Sequence, residues 1–234
     1  IMTNEAFKPA VTVNLQSASS ALDHGQSDED LARADLYGLL AELFGAAPTD
    51  GFFNRLAASP ASPEDEPDTP LTSAWRSLVT KAAASAPLDI RQEFEALFVA
   101  VGKPEVVSNA SFYLAGALHQ QPLVDIRADL AALGIERDPQ ATETEDHVAA
   151  LFEVMRFLVA GELDDDGPPR NLLLEQRTFF HAHLSGWVFD FFDAVERHPR
   201  ADFYRATVEF ARAFMDVERQ AFDIYVAAQD PGQG

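Results

Sequence analysis

The chain has 234 residues and no cysteine, which excludes disulfides, thiolate nucleophiles, iron–sulfur ligation and zinc-finger sites. Hydrophobic residues make up 47% of it, which excludes a disordered chain, and its length suits one domain or two small, closely packed ones. The formal net charge of -21, with lysine and arginine scattered singly, argues against a nucleic-acid or anionic-membrane binder. It favours either a basic protein partner or a role of the charge in solubility or salt adaptation.

Apolar residues spaced three and four positions apart predict helices throughout the first half of the chain. Residues 1–26 lack this spacing, and we expect them to form a loose tail. The segment 60–70 is rich in proline and acidic residues, which is typical of an exposed loop. The predicted helices of this half cover residues 27–45, 50–59, a segment that begins near 71, and residues 88–101.

Helical spacing continues through the second half, and it is clearest in the segment that begins at Val148. The predicted helices here cover residues 111–118, 122–133, 148–160, 170–183, 185–198 and 202–229. The last of them has an apolar residue at every seventh position, namely Phe203, Phe210, Val217 and Ile224. Such a seam indicates a packing face.

No stretch alternates convincingly between apolar and polar residues, so we expect an all-α bundle of roughly nine or ten helices without a sheet. Residues 27–163 are expected to form the larger helical part, and residues 170–230 to pack on the same core beyond an acidic hinge at 164–169. Residues 1–26 lack the apolar centre of an export signal, and the apolar run 151–160 is too short and too charged to span a bilayer. We therefore expect a soluble, cytoplasmic protein.

Motifs of catalysis and cofactor binding are missing from the sequence. It contains neither a dinucleotide fingerprint, nor a phosphate-binding loop, nor a nucleophile elbow. His181 and His183 are two positions apart, which on a helix separates them by about 200°, so they cannot share a metal ion. The paired Glu-x-x-His segments of a di-iron bundle are missing too. We expect no catalytic residue, no cofactor and no metal.

One polar cluster, residues 143–147, precedes the clearest predicted helix. One interpretation is helix capping, with Thr142 or Thr144 as the cap and the acidic residues favoured by the helix dipole. The other interpretation is a docking point for a basic ligand, in which Asp146 and His147 take part. In both, we expect the acidic side chains to be exposed and their replacement to affect the fold little.

Glu143, Asp146 and His147, followed by an apolar helix, resemble the signature of the TorD/DmsD/NarJ family of cytoplasmic chaperones for molybdenum-containing oxidoreductases. Thr144 stands where the family usually has proline. Two further blocks resemble family patterns in the same order. The first contains Phe94 to Val99, Pro104, Ser108, Ser111 and Tyr113, and the second contains Phe180, His181, His183, Leu184, Trp187, Phe203 and Tyr204.

The resemblance implies a non-enzymatic role. Family members bind the twin-arginine leader of a client apoenzyme, or another part of it, and prevent export until the molybdenum cofactor is inserted. Glu143 and Asp146 would pair with leader arginines, and His147 would orient Asp146 or donate to a peptide carbonyl. The other residues expected to bind the client are Trp75, Phe98, Pro104, Ser111, Tyr113, Phe152 and Trp187. Aromatic residues such as these more often fill a core than line a groove.

Three alternatives stay open at this point. The chain could be an assembly factor of the NarJ type, which binds its client without using the leader. It could form a homodimer by exchanging helices across the hinge. It could also be a helical enzyme in which Asp146 and His147 transfer a proton. The sequence does not identify the client, which the resemblance limits to the catalytic subunit of a molybdopterin-containing oxidoreductase.

Overall fold

The structure is a computed structural model that describes residues 7–9, 28–61, 68–99, 104–139, 141–161 and 172–229. These residues contain ten helices, which confirms the predicted all-α class and helix number. The helices are α1 Asp28–Gly45, α2 Asp50–Ala57, α3 Pro70–Ala84, α4 Pro87–Phe98, α5 Ala110–Ala115, α6 Gln121–Leu133, α7 Val148–Val159, α8 Leu172–His183, α9 Val188–Glu196 and α10 Phe203–Gln229. The hinge predicted at 164–169 lies outside the described residues, and so does the predicted tail apart from residues 7–9.

A small antiparallel sheet is the exception to the prediction of no sheet. Strands β1 (Phe7–Pro9) and β2 (Ile135–Arg137) pair with Phe7 opposite Arg137 and Pro9 opposite Ile135. Three-residue strands are too short for an alternating pattern to be recognised in the sequence. Gly134 makes β2 possible directly after α6, because its φ of 74° ends the helix in the left-handed region that favours glycine.

The chain forms two compact units, each assembled from two separate segments. Unit 1 consists of Ile1–Ala46 and Ser108–Trp187, and unit 2 consists of Ala47–Val107 and Val188–Gly234. This division differs from the one expected from the sequence, which placed a single boundary at residues 164–169.

Unit 1 is built around α7, in which ten of the twelve residues are buried. Helix α1 packs along α7, and Gly38 permits a close approach, because a Cβ atom there would lie 2.9 Å from Cδ of Arg156. Buried Gln176 connects three helices: its amide donates to the carbonyl of Leu158 on α7 and accepts from Arg33 on α1. These contacts hold α7 firmly, and the polar cluster lies at its first turn.

Unit 2 is organised along the 27-residue helix α10. The predicted seam is buried at Phe203 and Phe210, but Val217 and Ile224 are 46% and 69% exposed, so it is a packing face only in its first half. The burial of α10 does not end there, since Phe214 and Phe222 are only 2% and 1% exposed, so the buried face leaves the seven-residue seam. Helix α3 runs antiparallel to the first part of α10, with contacts from the Lys81–Asp202 ion pair to the packing of Trp75 on Phe210.

Glu93 of α4 caps the start of α10. Its carboxylate accepts the backbone N–H groups of Asp202, Phe203 and Tyr204 at 2.8–3.0 Å. A carboxylate at this end of a helix also complements the helix dipole. Among the described residues, no helix is at once long enough and apolar enough to cross a bilayer.

Candidate functional site

The polar cluster lies where two distant segments of unit 1 pair over three residues. The N–H of Ala110 donates to the carbonyl of Asp146 at 2.9 Å, and the N–H of Val148 donates to the carbonyl of Ser108 at 2.8 Å. Asn109 and His147 therefore face each other in an antiparallel bridge. This pairing places the first residues of α5 and α7 side by side.

Asp146 is buried and caps α5 from the neighbouring segment. Only 1% of the residue is exposed, and its Oδ2 accepts the N–H of Ser111, the second residue of α5, at 3.1 Å. Its Oδ1 accepts the amide of Asn109 at 3.1 Å and the hydroxyl of Thr144 at 2.5 Å. Burial alone would raise the pKa of Asp146, but the hydrogen bonds from Ser111, Thr144 and Asn109 outweigh it and hold the pKa below its ordinary value. The group is therefore a buried carboxylate.

His147 caps α7, a role that the sequence had suggested for Thr142 or Thr144. Its Nδ1 accepts the N–H of Ala149 at 3.3 Å, so the proton of the neutral ring lies on Nε2. Burial lowers the pKa of His147 and outweighs the opposing influence of Glu143 and Asp146. A neutral imidazole avoids the repulsion that a cation would meet at a helix N-terminus.

Asp146 and His147 thus serve as a double cap, with one residue for each of two adjacent helices. The expectation of exposed acidic side chains holds for Glu143 but is wrong for Asp146, because the carboxylate is enclosed by the donors of the 109–111 segment. The hydrogen bonds of Asp146 come from other residues than His147. This arrangement does not favour the alternative in which the two residues exchange a proton.

His147 should make the fold sensitive to mild acid. The unfolded chain takes up a proton on this residue near pH 6.5, whereas the buried ring resists it, so the unfolded state binds more protons and stability falls as the pH drops below about 6.5. The variant His147→Asn keeps a capping side chain without titrating in this range. We expect the thermal midpoint of the variant to change less between about pH 7.5 and 5.5 than that of the wild type. Equal slopes for the two proteins would contradict this role of His147.

Two aromatic residues expected to bind the client belong to the core of unit 1. Phe152 has no exposed surface, and Trp187 is 1% exposed with its Nε1 donating to the carbonyl of His183 at 2.7 Å. Half-buried Tyr113 stacks on Trp187, with ring centroids 5.3 Å apart. The expectation of a groove lined by Phe152 and Trp187 is therefore wrong, since neither ring is accessible. Tyr113 and the adjoining end of α5 are accessible.

Three of the residues expected to bind the client belong to unit 2, whereas the double cap belongs to unit 1. Trp75 is half-buried, and its Nε1 donates to the carbonyl of Pro60 at 2.9 Å. Phe98 belongs to an aromatic cluster with Phe94, Phe191 and Tyr204. Pro104 is also half-buried. The structure brings Glu143, Asp146, His147, Ser111, Tyr113 and Trp187 together in unit 1, and it places Trp75, Phe98 and Pro104 in the other unit.

An ion pair beside the double cap was missed by the sequence reasoning. Arg127 of α6 donates from Nε and Nη2 to the two carboxylate oxygens of Glu145, at 3.0 and 2.9 Å. Burial would raise the pKa of Glu145, but these hydrogen bonds and the nearby positive charges lower it. The charged cluster 143–147 pointed to Glu145 as a candidate site residue. Nothing in the sequence linked Glu145 to an arginine 18 positions earlier.

The Arg127–Glu145 pair forms one wall of a surface cavity of about 240 Å³. The lining residues are Arg127, Leu130, Ala131, Gly134, Ile135, Glu136, Arg137 and Glu145. Arg137 is turned away to the neighbouring loop, where it donates to the carbonyls of Ala141 and Glu143. In the described parts of the chain, no three acidic or histidine side chains are placed to hold a metal ion.

Comparisons with known proteins agree with the motifs. The sequence model of the nitrate reductase delta subunit family matches residues 64–193, which is more than half of the chain and includes the double cap. The TorD chaperone proteins of Vibrio vulnificus and Vibrio cholerae are 26% and 25% identical over 133 and 141 residues, or 55% and 59% of this chain. The matched regions span 62% and 64% of those relatives.

A solved structure described as that of a candidate redox enzyme maturation protein from Archaeoglobus fulgidus gives a TM-score of 0.49 at 16% identity, over 83% of this chain and 96% of that one. The Vibrio relatives are named chaperones, which agrees with the prediction of a non-enzymatic protein. The extent of the family match decides the assignment: the chain belongs to the nitrate reductase delta subunit family, the TorD/DmsD/NarJ family that its motifs predicted.

Proposed function

We propose that this protein is a cytoplasmic chaperone that binds the apoprotein of a molybdenum-cofactor oxidoreductase through its twin-arginine leader. Binding would hold the client back from export until its cofactor is inserted. The observation that carries the proposal is that the three motif residues, Glu143, Asp146 and His147, differ in their roles. Asp146 and His147 are committed to the fold, whereas Glu143 is exposed and presents its carboxylate to solvent.

The position of Glu143 supports a binding role. Its main chain is held by Arg137, which donates to the Glu143 carbonyl at 2.9 Å. Its carboxylate forms no hydrogen bond or ion pair with the residues that the structure describes. A fixed backbone with a free carboxylate suits a bidentate contact with an arginine at a small entropic cost.

Accessible apolar residues lie at the end of the helix that Asp146 caps and just beyond it. Leu114 and Leu118 are 48% and 43% exposed, and half-buried Tyr113 precedes them. A twin-arginine leader has a basic start and an apolar middle, so its binder needs acidic groups together with apolar surface. Unit 1 supplies both, and the net charge of -21 would attract the basic end.

A second candidate is the NarJ type of assembly factor, which binds the mature part of the client and not the leader. The description of the matching family model, the nitrate reductase delta subunit, favours it. In both candidates the partner is a molybdenum-cofactor oxidoreductase, and neither requires a cofactor, a nucleic acid or a membrane. We treat a homodimer formed by helix exchange as an additional form of the same chaperone.

The variant Glu143→Gln should weaken leader binding by several-fold to about a hundredfold, the range of one charge-assisted hydrogen bond. The probe is a synthetic peptide with two consecutive arginines before an apolar stretch, titrated by calorimetry. Asp35→Asn, which removes one exposed charge from α1 of the same unit, is the matched control and should bind as the wild type does. Raising the salt concentration should slow association more than it changes dissociation.

Two results would contradict the leader proposal. If the wild type fails to bind the peptide but binds a molybdoenzyme apoprotein that lacks its leader, the NarJ type of function is correct. If Glu143→Gln and Asp35→Asn bind the peptide equally well, Glu143 is not the residue that recognises the arginines.

A further inference from the structure

We propose that the cavity between α6, β2 and Glu145 is a binding site for one arginine side chain of the client. The inference rests on the proposed function, and it identifies where a guanidinium group would be held. Asp146 was expected to bind a leader arginine, but it already accepts three hydrogen bonds and is 1% exposed. Another carboxylate is therefore needed to hold the guanidinium.

The volume of the cavity fits a single side chain. At roughly 30 Å³ per water molecule, a cavity of about 240 Å³ holds about eight waters. An arginine side chain has nearly that number of non-hydrogen atoms. Pockets for larger ligands such as drug-sized molecules and cofactors usually start near 300 Å³. The size therefore suits a group as large as one amino-acid side chain better than a drug-sized ligand.

The walls of the cavity match the two parts of an arginine. Leu130, Ala131 and Ile135 supply apolar surface for its methylene groups, and Glu136 and Glu145 supply carboxylates for the guanidinium. Each oxygen of Glu145 accepts one hydrogen bond from Arg127, which leaves further lone pairs on a carboxylate that can accept about four. The Glu136 side chain is exposed and forms no hydrogen bond with the described residues.

The charged side chains in the wall balance, with two arginines and two glutamates. Arg127 is neutralised by its two-point contact with Glu145, and an Nη group of Arg137 is directed to two backbone carbonyls. The whole chain carries a net charge of -21, which attracts a cation and repels an anion. Because Arg127 occupies the bidentate edge of Glu145, a client guanidinium would contact the remaining lone pairs of Glu145 and the carboxylate of Glu136.

The test uses the full-length protein and a small probe, N-acetyl-arginine amide, with the uncharged citrulline analogue as its control. Binding is followed by the backbone amide NMR signals of Ala131 and Gly134. We expect the arginine probe to shift these signals and the citrulline probe to shift them much less. Glu136→Gln should weaken arginine binding by about tenfold, whereas Asp35→Asn should have no effect.

A second variant tests the cavity without changing any charge. Ala131→Phe fills the space from the exposed side of α6 and should abolish the shifts while the thermal midpoint stays near that of the wild type. Shifts caused by phosphate or acetate but not by the arginine probe would show an anion site and overturn the proposal. Unchanged affinity for arginine in both Glu136→Gln and Ala131→Phe would overturn it as well.

The failure of this inference and that of the proposed function are distinguishable. If the twin-arginine peptide binds the wild type and is insensitive to Glu136→Gln and Ala131→Phe, the leader is recognised elsewhere and the cavity proposal is wrong. If the peptide does not bind but the arginine probe shifts Ala131 and Gly134, the cavity is a guanidinium site and the leader proposal is wrong.

Discussion

Replacing Trp187 by alanine is expected to lower the free energy of unfolding by about 3–5 kcal/mol, the range for a large aromatic side chain removed from a core. The residue is 1% exposed, and the loss would include its stacking on Tyr113 and its hydrogen bond to the carbonyl of His183. Chemical denaturation followed by circular dichroism measures the change. Trp75→Ala, which removes a half-buried indole from unit 2, provides the comparison and should cost less.

This prediction also separates two roles for Trp187. The family resemblance placed it among the residues that bind the client, whereas its burial assigns it to the core of unit 1. A Trp187→Ala variant with an unchanged free energy of unfolding and impaired peptide binding would show that the indole is exposed in the functional state. The structural role would then be wrong.

Replacing Asp146 by alanine should destabilise the protein by about 1–3 kcal/mol for each buried donor left without an acceptor. The N–H of Ser111 and the hydroxyl of Thr144 lose their acceptor and α5 loses its cap, whereas the amide of Asn109 can still donate to the hydroxyl oxygen of Thr144. Asp146→Asn should also destabilise, because in either orientation of the new amide its NH2 group faces a donor, the N–H of Ser111 or the amide of Asn109. The burial of Asp146 thus contradicts the expectation from the sequence that its replacement affects the fold little. Equilibrium unfolding at neutral pH measures both variants, with Glu143→Gln as the control that should unfold like the wild type.

The charge of Asp146 should also be detectable in the pH dependence of stability in acid. The pKa of Asp146 is lowered by its hydrogen bonds, so its contribution to stability is fully present above the ordinary aspartate value of about 3.9. That contribution is lost as the pH falls from there through the lower value of the folded state. The acid unfolding of Asp146→Asn should accordingly depend less on pH in this range. An identical pH dependence for the two proteins would mean that Asp146 is not charged in the fold.

Much of the fold could be predicted from the sequence, because helices depend on local spacing. The segment beginning at Val148 has the clearest apolar pattern, and it is the most completely buried helix of unit 1. The seam of α10 was correctly identified as helical, but tertiary packing covers Phe214 and Phe222 of its second half and leaves Val217 and Ile224 exposed. Local patterns do not contain that information.

The candidate site shows the same limit at the level of single residues. The cluster 143–147 was found because it combines three acidic residues and a histidine ahead of a helix. The burial of Asp146 could not be inferred, since the donors on Asn109 and Ser111 lie 37 and 35 positions earlier in the chain. The Arg127–Glu145 pair is likewise a product of tertiary structure. Sequence reasoning located the site but could not assign its residues to fold or to binding.

The interleaved segments of the two units have a consequence for synthesis on the ribosome. Helix α1 ends at Gly45, and its main partner α7 starts at Val148, so about a hundred residues must be translated before the two can pack. At a synthesis rate of roughly 5–20 residues per second, the apolar face of nascent α1 stays uncovered for about 5–20 s. Unit 2 cannot form earlier, because it needs α10, which begins at Phe203. Neither unit can therefore complete its core before α7 or α10 has been made, and a nascent chain stalled before residue 148 would hold α1 without its partner.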